Sequence, residues 1–298
     1  MTPSSVPDIA TLRAICHSGK ISKDRRFWYG LSRRISIHVT WLLLHTPVRP
    51  NDVTIATVAF AFLGSALLAA RPATIALAGA VVLLGHYFLD KVDGDIARFR
   101  KIYSLAGVYL DDLGHSITYG GIFAGLGLHL AQHASGANGA VTILGTAAVG
   151  ALAMVIGNQN KNAGFLLFAR SVLVQPELLP TGLRAGGLRV LSRAATHEGR
   201  QAGAAPPGGG ARLLGGLRDA ALLVSDYSVM LPLVTAGLVV EVATGDRRVL
   251  TALLYGEAAV QTLVLLGLVW INYSVNVESE ALRLDALVRG RNDAPRRD

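Results

Sequence analysis

Asp90, Asp93, Asp111 and His115 stand in two short runs whose residue types and spacing could do chemistry. The first run reads G-H-Y-F-L-D-K-V-D-G-D-I-A-R and closes at Arg98; the second reads L-A-G-V-Y-L-D-D-L-G-H and closes at His115. On a helix turning ~100° per residue, Asp90, Asp93, Gly94 and Ala97 fall within about 100° of arc. Gly107, Asp111 and His115 step by four residues and share one face. Two such stripes on neighbouring antiparallel helices can face each other. Their carboxylates would repel in a low dielectric unless cations neutralise them. Carboxylate oxygens suit hard divalent ions, Mg2+ or Mn2+. A divalent ion among carboxylates commonly handles phosphate or pyrophosphate. The small residues Gly94, Ala97 and Gly107 allow a ligand close to the backbone. The bland alternative is a set of solvated acids at helix ends.

The elements that must position these residues follow from composition. The 298-residue chain is 51% hydrophobic and 16% charged, with a mean hydropathy of +0.43. Soluble domains usually carry about a quarter charged residues. Long stretches here are almost uncharged, and Lys and Arg cluster between them, as expected when the bilayer is the solvent. Val53–Ala70, Ala73–Asp90, Leu105–Ala131, Asn138–Ile156, Asp219–Val242 and Val249–Ile271 approach or exceed the roughly 20 helical residues that cross a ~30 Å hydrocarbon core. The first two, joined by Arg71-Pro72, read as a helical hairpin. The expected fold is an all-α integral membrane protein of six transmembrane helices, preceded by an interfacial amphipathic helix over residues 25–48, where Arg alternates with Phe27, Trp28, Tyr29 and aliphatic residues.

The domain reading is a cytoplasmic segment over 1–48, a transmembrane catalytic domain over 49–273 and a cytoplasmic tail over 274–298. Of the 28 Lys and Arg, 25 fall in the terminal segments and the connections 91–104 and 157–218. The positive-inside rule then places both termini in the cytoplasm, most naturally at the cytoplasmic membrane. The formal charge of +8 is explained by this flanking pattern, and no nucleic-acid partner is expected. Residues 201–210 read Q-A-G-A-A-P-P-G-G-G, a flexible loop within the 157–218 connection. The single cysteine, Cys16, excludes an intramolecular disulfide and reads as a spectator thiol. The N-terminus lacks the apolar core of a secretory signal.

With the residues in view, D-x-x-D-G-x-x-A-R, eight residues, then G-x-x-x-D-x-x-x-H resembles the signature of the CDP-alcohol phosphotransferase (CDP-alcohol phosphatidyltransferase) family. That signature ends in a fourth aspartate where this chain has His115. Asp90, Asp93, Gly94, Ala97, Arg98, Gly107 and Asp111 all match, and Pro50-Asn51-Asp52-Val53-Thr54 resembles the family's P-N-x-x-T entry. The resemblance implies a transferase of phospholipid biosynthesis, with two divalent cations, Mg2+ or Mn2+, held by Asp90, Asp93, Asp111 and His115. It implies a nucleotide surrounded by Asn51, Thr54, Gly94, Ala97, Arg98 and Gly107. A CDP-linked donor, most naturally CDP-diacylglycerol, passes its phospho-alcohol group to a small alcohol and CMP leaves. The same chemistry with a soluble CDP-polyol donor or a polyol phosphate acceptor is the first alternative, and a non-catalytic homologue retaining the site is the second. A homodimer is also implied.

His115 stays open among three roles. It is the general base, because imidazole ordinarily changes charge near neutrality, or a metal ligand, or a sign of lost activity. Asp112 does not replace the missing acid, since it sits about 100° around the helix from Asp111. His86 reads as support for the site or as a plain interhelical hydrogen bond. For the acceptor, Lys161 beyond the fourth span and Asp226, expected two turns inside the fifth, are the candidates.

Overall fold

The structure is a computed structural model; it describes residues 6–17, 27–102, 104–160 and 226–271, with the side chains of 27–29, 160 and 271 left aside. The 157–218 connection beyond residue 160, including Lys161 and the 201–210 run, lies outside the described residues.

Eight helices make up the described residues, with no strand among them. They are α1 (Ile9–His17), α2 (Phe27–Leu44), α3 (Pro50–Leu68), α4 (Ala73–Arg100), α5 (Leu105–Ala131), α6 (Gly136–Asn160), α7 (Tyr227–Thr244) and α8 (Arg248–Ile271). Five of them, α3, α4, α6, α7 and α8, are long and apolar enough to cross a membrane. Although α5 has 27 residues, it is not among those five. Asp111, Asp112, His115 and a run of glycines dilute its apolar content. The apolar part of the second span was read as ending at Asp90, and, as the helical spacing of the acidic motif requires, α4 continues through that motif to Arg100.

The chain divides into two compact units, Met1–Val155 with Leu223–Thr262, and Ile156–Leu222 with Leu263–Asp298. The second contributes only the ends of α6 and α8 to the described residues. In the first unit α3 packs along α4 and α5, and α4 packs on α2 and α7. The expected hairpin is therefore α3–α4. Its core joins Leu83 and Tyr87 of α4, Ile122, Phe123 and Leu126 of α5, and Met230, Leu231 and Leu238 of α7.

Small residues let these helices approach, since lipid tails give no hydrophobic push between them. A Cβ on Gly79 would meet the backbone of Leu68 and stand 2.7 Å from the Gly64 carbonyl oxygen. Ser65 of α3 similarly fills the space over Gly121 and Gly125 of α5. The contacts at Gly79 are backbone and cannot rotate away. Gly79→Ala would gain up to about 1 kcal/mol of helix propensity, yet overpacking costs roughly 1–3 kcal/mol. Thermal unfolding in detergent should therefore show Gly79→Ala melting below wild type.

The buried face of α2 is mixed, with Ile37 and Leu44 buried beside polar residues. Ser32, Arg33, Ser36 and Thr40 are buried, whereas Ile35 and Leu42 are exposed. An unforeseen short helix, α1, packs on α2 and α4, with Leu12 and Cys16 buried against Ile37, Val92 and Ile96.

Candidate active site

The acidic motif is positioned by the way α3 and α5 begin and α4 ends. Pro50 occupies the first turn of α3, where its missing N–H costs nothing. The Asp52 carboxylate accepts the Arg49 N–H at 2.9 Å and holds that start. Lys101 closes α4 in the left-handed region with φ 55°. The Arg100 guanidinium then ties this end to the carbonyls of Thr46, at 2.8 Å, and Val48. Ser104 caps α5 by accepting the Gly107 N–H at 2.9 Å and donates to Asn51 Oδ1 at 3.0 Å. A Cβ at position 107 would stand 2.8 Å from Asn51 Oδ1 and 3.0 Å from Ser104 Oγ, so glycine keeps this junction closed.

These ends enclose a cavity of about 340 Å³, lined by Asn51 and Thr54 of α3, the α4 motif, and Gly107, Asp111 and His115 of α5. Ligating atoms of Asp90, Asp111 and His115 lie within 4.8 Å of one another. His115 Nε2 stands 3.5 Å from Asp90 Oδ1 and 3.8 Å from Asp111 Oδ1. Asp111 is the open member, with its side chain 45% exposed. Asp93 lines the same cavity but is held apart from that trio. One of its oxygens accepts the Gly94 N–H, and the other lies 2.7 Å from the Thr54 hydroxyl. That hydroxyl also lies 3.1 Å from the Pro50 carbonyl; it has one hydrogen, and an ionised Asp93 is the stronger acceptor.

The donor set fits divalent ions. Three carboxylates converge on one small cavity, and the ammonium closest to them, Lys91 Nζ, is 3.9 Å from Asp90. It also donates to the Tyr87 carbonyl at 3.0 Å. The His115 ring is set by stacking on Tyr119, 5.7 Å between centroids, and by the edge of Tyr227 at 5.8 Å. Its Nδ1 is buried with no hydrogen-bond partner.

Of the residues expected at the site, Asn51, Thr54, Asp90, Asp93, Gly94, Ala97, Arg98, Gly107, Asp111 and His115 all line the cavity. Residues 47–173 match the CDP-alcohol phosphatidyltransferase family. The match spans less than half of the chain and contains the whole motif. It confirms the resemblance over these residues, and five of the described helices are long and apolar enough to cross a membrane. No curated protein matches the chain.

One expected position is revised, and one open alternative is decided. Asp226 is not two turns inside a helix: it is the N-cap of α7, where its side chain accepts the Ser228 N–H, and it does not line the cavity. His86 is an interhelical link, with Nδ1 3.0 Å from the Thr57 carbonyl on α3 and Nε2 2.8 Å from the Thr118 hydroxyl on α5.

Sequence reasoning missed Asp95. This acid is buried, and its two oxygens meet the Arg98 guanidinium and His17 Nε2, the latter at 3.1 Å. Cys16 donates to the Asp95 carbonyl at 3.4 Å, a contact of a buried thiol. The available signal was a third acid in D-K-V-D-G-D, about 200° around the helix from Asp93 and therefore in need of a partner on another element.

Proposed function

We propose that this protein transfers a phospho-alcohol group from a CDP-linked donor, most naturally CDP-diacylglycerol, to the hydroxyl of a small polar alcohol and releases CMP. The observation that carries the reading is the convergence of Asp90, Asp111 and His115 in one cavity with Asp93, Asn51, Thr54 and Arg98. Asp90, Asp93 and Asp111, with His115 beside them, are the residues that would hold two divalent cations, Mg2+ or Mn2+. When bound, these neutralise pyrophosphate charge and the charge developing on the leaving CMP.

The chain's own residues supply the rest. Arg98, Asn51 and Thr54, with the small surfaces of Gly94, Ala97 and Gly107, receive the nucleotide. The acceptor oxygen attacks the donor's β-phosphorus, its bond to phosphorus forms as the bond to CMP breaks, and the acceptor proton passes to His115 Nε2. Asp90 and Asp111, 3.5 and 3.8 Å from that nitrogen, stabilise the imidazolium that results. The base role is favoured over the ligand role because Nδ1 has no acceptor, whereas metal-bound histidines almost always donate their second N–H.

A lipid donor is favoured over a soluble CDP-polyol by the cavity rim. Ile102 and Val108 line the cavity and are 49% and 60% exposed, an apolar wall suited to acyl chains. Purified protein should release CMP from CDP-diacylglycerol in the presence of a polar alcohol, and the organic phase should contain a new phosphodiester lipid. CMP release from a soluble CDP-polyol alone would move the donor to the alternative.

Arg98 depends on Asp95. Asp95→Asn removes that charge-assisted contact and should raise the KM for the CDP donor by about tenfold with a smaller change in kcat, as CMP-release kinetics would show.

In the complete arrangement, α5 is a sixth span crossing beside α3 by its glycine face, and α2 lies in the cytoplasmic interface. Both termini and the site then face the cytoplasm. Cysteines placed at Ser135 and Asp246 in a Cys16→Ala background should react with impermeant reagents outside intact cells. Outside labelling of a cysteine in the 201–210 run would reverse the orientation.

A further inference from the structure

About 20 Å along α5 from His115, by the helical rise, a second group of side chains converges. His129 and His133 stand four residues apart at the end of α5, and Glu241 approaches from the end of α7. Ligating atoms of the three lie within 4.8 Å of one another. His129 and Glu241 are buried, and His133 is half-buried.

The backbone fixes which ring nitrogens face the group. His129 Nδ1 lies 2.7 Å from the Ala70 carbonyl oxygen, and His133 Nε2 lies 3.0 Å from the Arg71 carbonyl oxygen. A carbonyl only accepts, so each of these nitrogens carries the hydrogen, and in the neutral ring the other nitrogen keeps a lone pair. Metal-binding histidines have this arrangement: one nitrogen anchored to a carbonyl, the other presented as a ligand. His129 Nε2 meets Glu241 Oε2 at 2.8 Å, two acceptors that need a cation between them. Arg247 Nε pairs with the other carboxylate oxygen, Oε1, at 2.6 Å and leaves Oε2 directed inward. A proton alone would close the His129–Glu241 contact, but it gives no role to His133, whose ring is anchored in the same manner.

We propose that His129, His133 and Glu241 form a second metal site, for a divalent transition ion of the zinc class. Two imidazoles and one carboxylate are a zinc donor set with a fourth position for water, and imidazole nitrogen disfavours Mg2+ or Ca2+. The half-buried His133 is the entry side. The bound ion joins α5 to α7 and, through the carbonyls of Ala70 and Arg71, to the turn between α3 and α4. It is a staple at the end of the bundle remote from the catalytic cavity.

The test uses the full-length protein, purified in detergent after chelation and titrated with Zn2+. Bound zinc is measured by mass spectrometry, and thermal unfolding is followed in parallel. Wild type and Asp111→Asn should each hold the zinc equivalent of this site, beyond any zinc taken by the catalytic acids, and melt at higher temperature with Zn2+. His133→Ala should lose that equivalent and the shift, with affinity reduced on the order of a hundredfold or more. His133 lies outside the His129–Glu241 contact, so this variant folds with the ion pair intact, and its CMP release should be unchanged. Equal zinc binding by His133→Ala and wild type, or zinc binding lost in Asp111→Asn alone, overturns the proposal. So does absence of zinc binding in all three, which would leave a proton between His129 and Glu241.

Discussion

Asp93→Asn should release CMP at a rate lower by about a hundredfold or more than wild type, while melting at nearly the same temperature. The substitution keeps the shape of the side chain. The amide oxygen can still accept from Thr54, which now lies 2.7 Å from the carboxylate, so packing between α3 and α4 persists. What is lost is one negative charge in a cavity that must hold cations against pyrophosphate. Asp93 is buried, at 8% exposure, and water cannot replace the missing charge there. A comparable loss without a change in melting separates a functional charge from a structural one. Full activity of Asp93→Asn would remove Asp93 from the metal set.

The second large effect concerns His115. His115→Ala should cut turnover strongly with little change in donor affinity, because a base acts mainly in the transition state. Excess Mn2+ should not restore it. His115→Asp should retain substantial activity, since a carboxylate can take the same proton from the same face of α5. The ring's environment supports this reading: Nε2 points at Asp90 and Asp111, and Tyr119 and Tyr227 set the ring plane. Turnover of His115→Ala restored by added metal would make His115 a ligand. A wild type inactive with every donor, alongside an active His115→Asp, would mark a lineage that has lost catalysis.

Much of the fold was legible because apolar length and local periodicity determine it. Leu105–Ala131 has the same bounds in the sequence reading and in α5. Asp111 and His115 share a face of α5, because a four-residue step puts side chains on one helix face whatever surrounds them, and Asp90 of α4 meets them there. The rest depended on partners distant in sequence. Asp95 meets His17 across 78 residues, and His129 meets Glu241 across 112; no periodicity carries such pairings. The nine residues of α1 are fewer than an isolated helix needs for stability, and α1 is held by its packing on α2 and α4. Asp226 was misplaced because the fifth span was read from apolar content alone. An acid accepting the N–H two residues ahead is a cap, and it marks where α7 starts.

The most direct test of the central claim is CMP release by the purified protein from CDP-diacylglycerol and a polar alcohol, measured after chelation and again after adding Mg2+ or Mn2+. The account predicts no CMP in chelator, recovery on adding either ion, and no recovery by Asp93→Asn. CMP release that persists undiminished in excess chelator would contradict it.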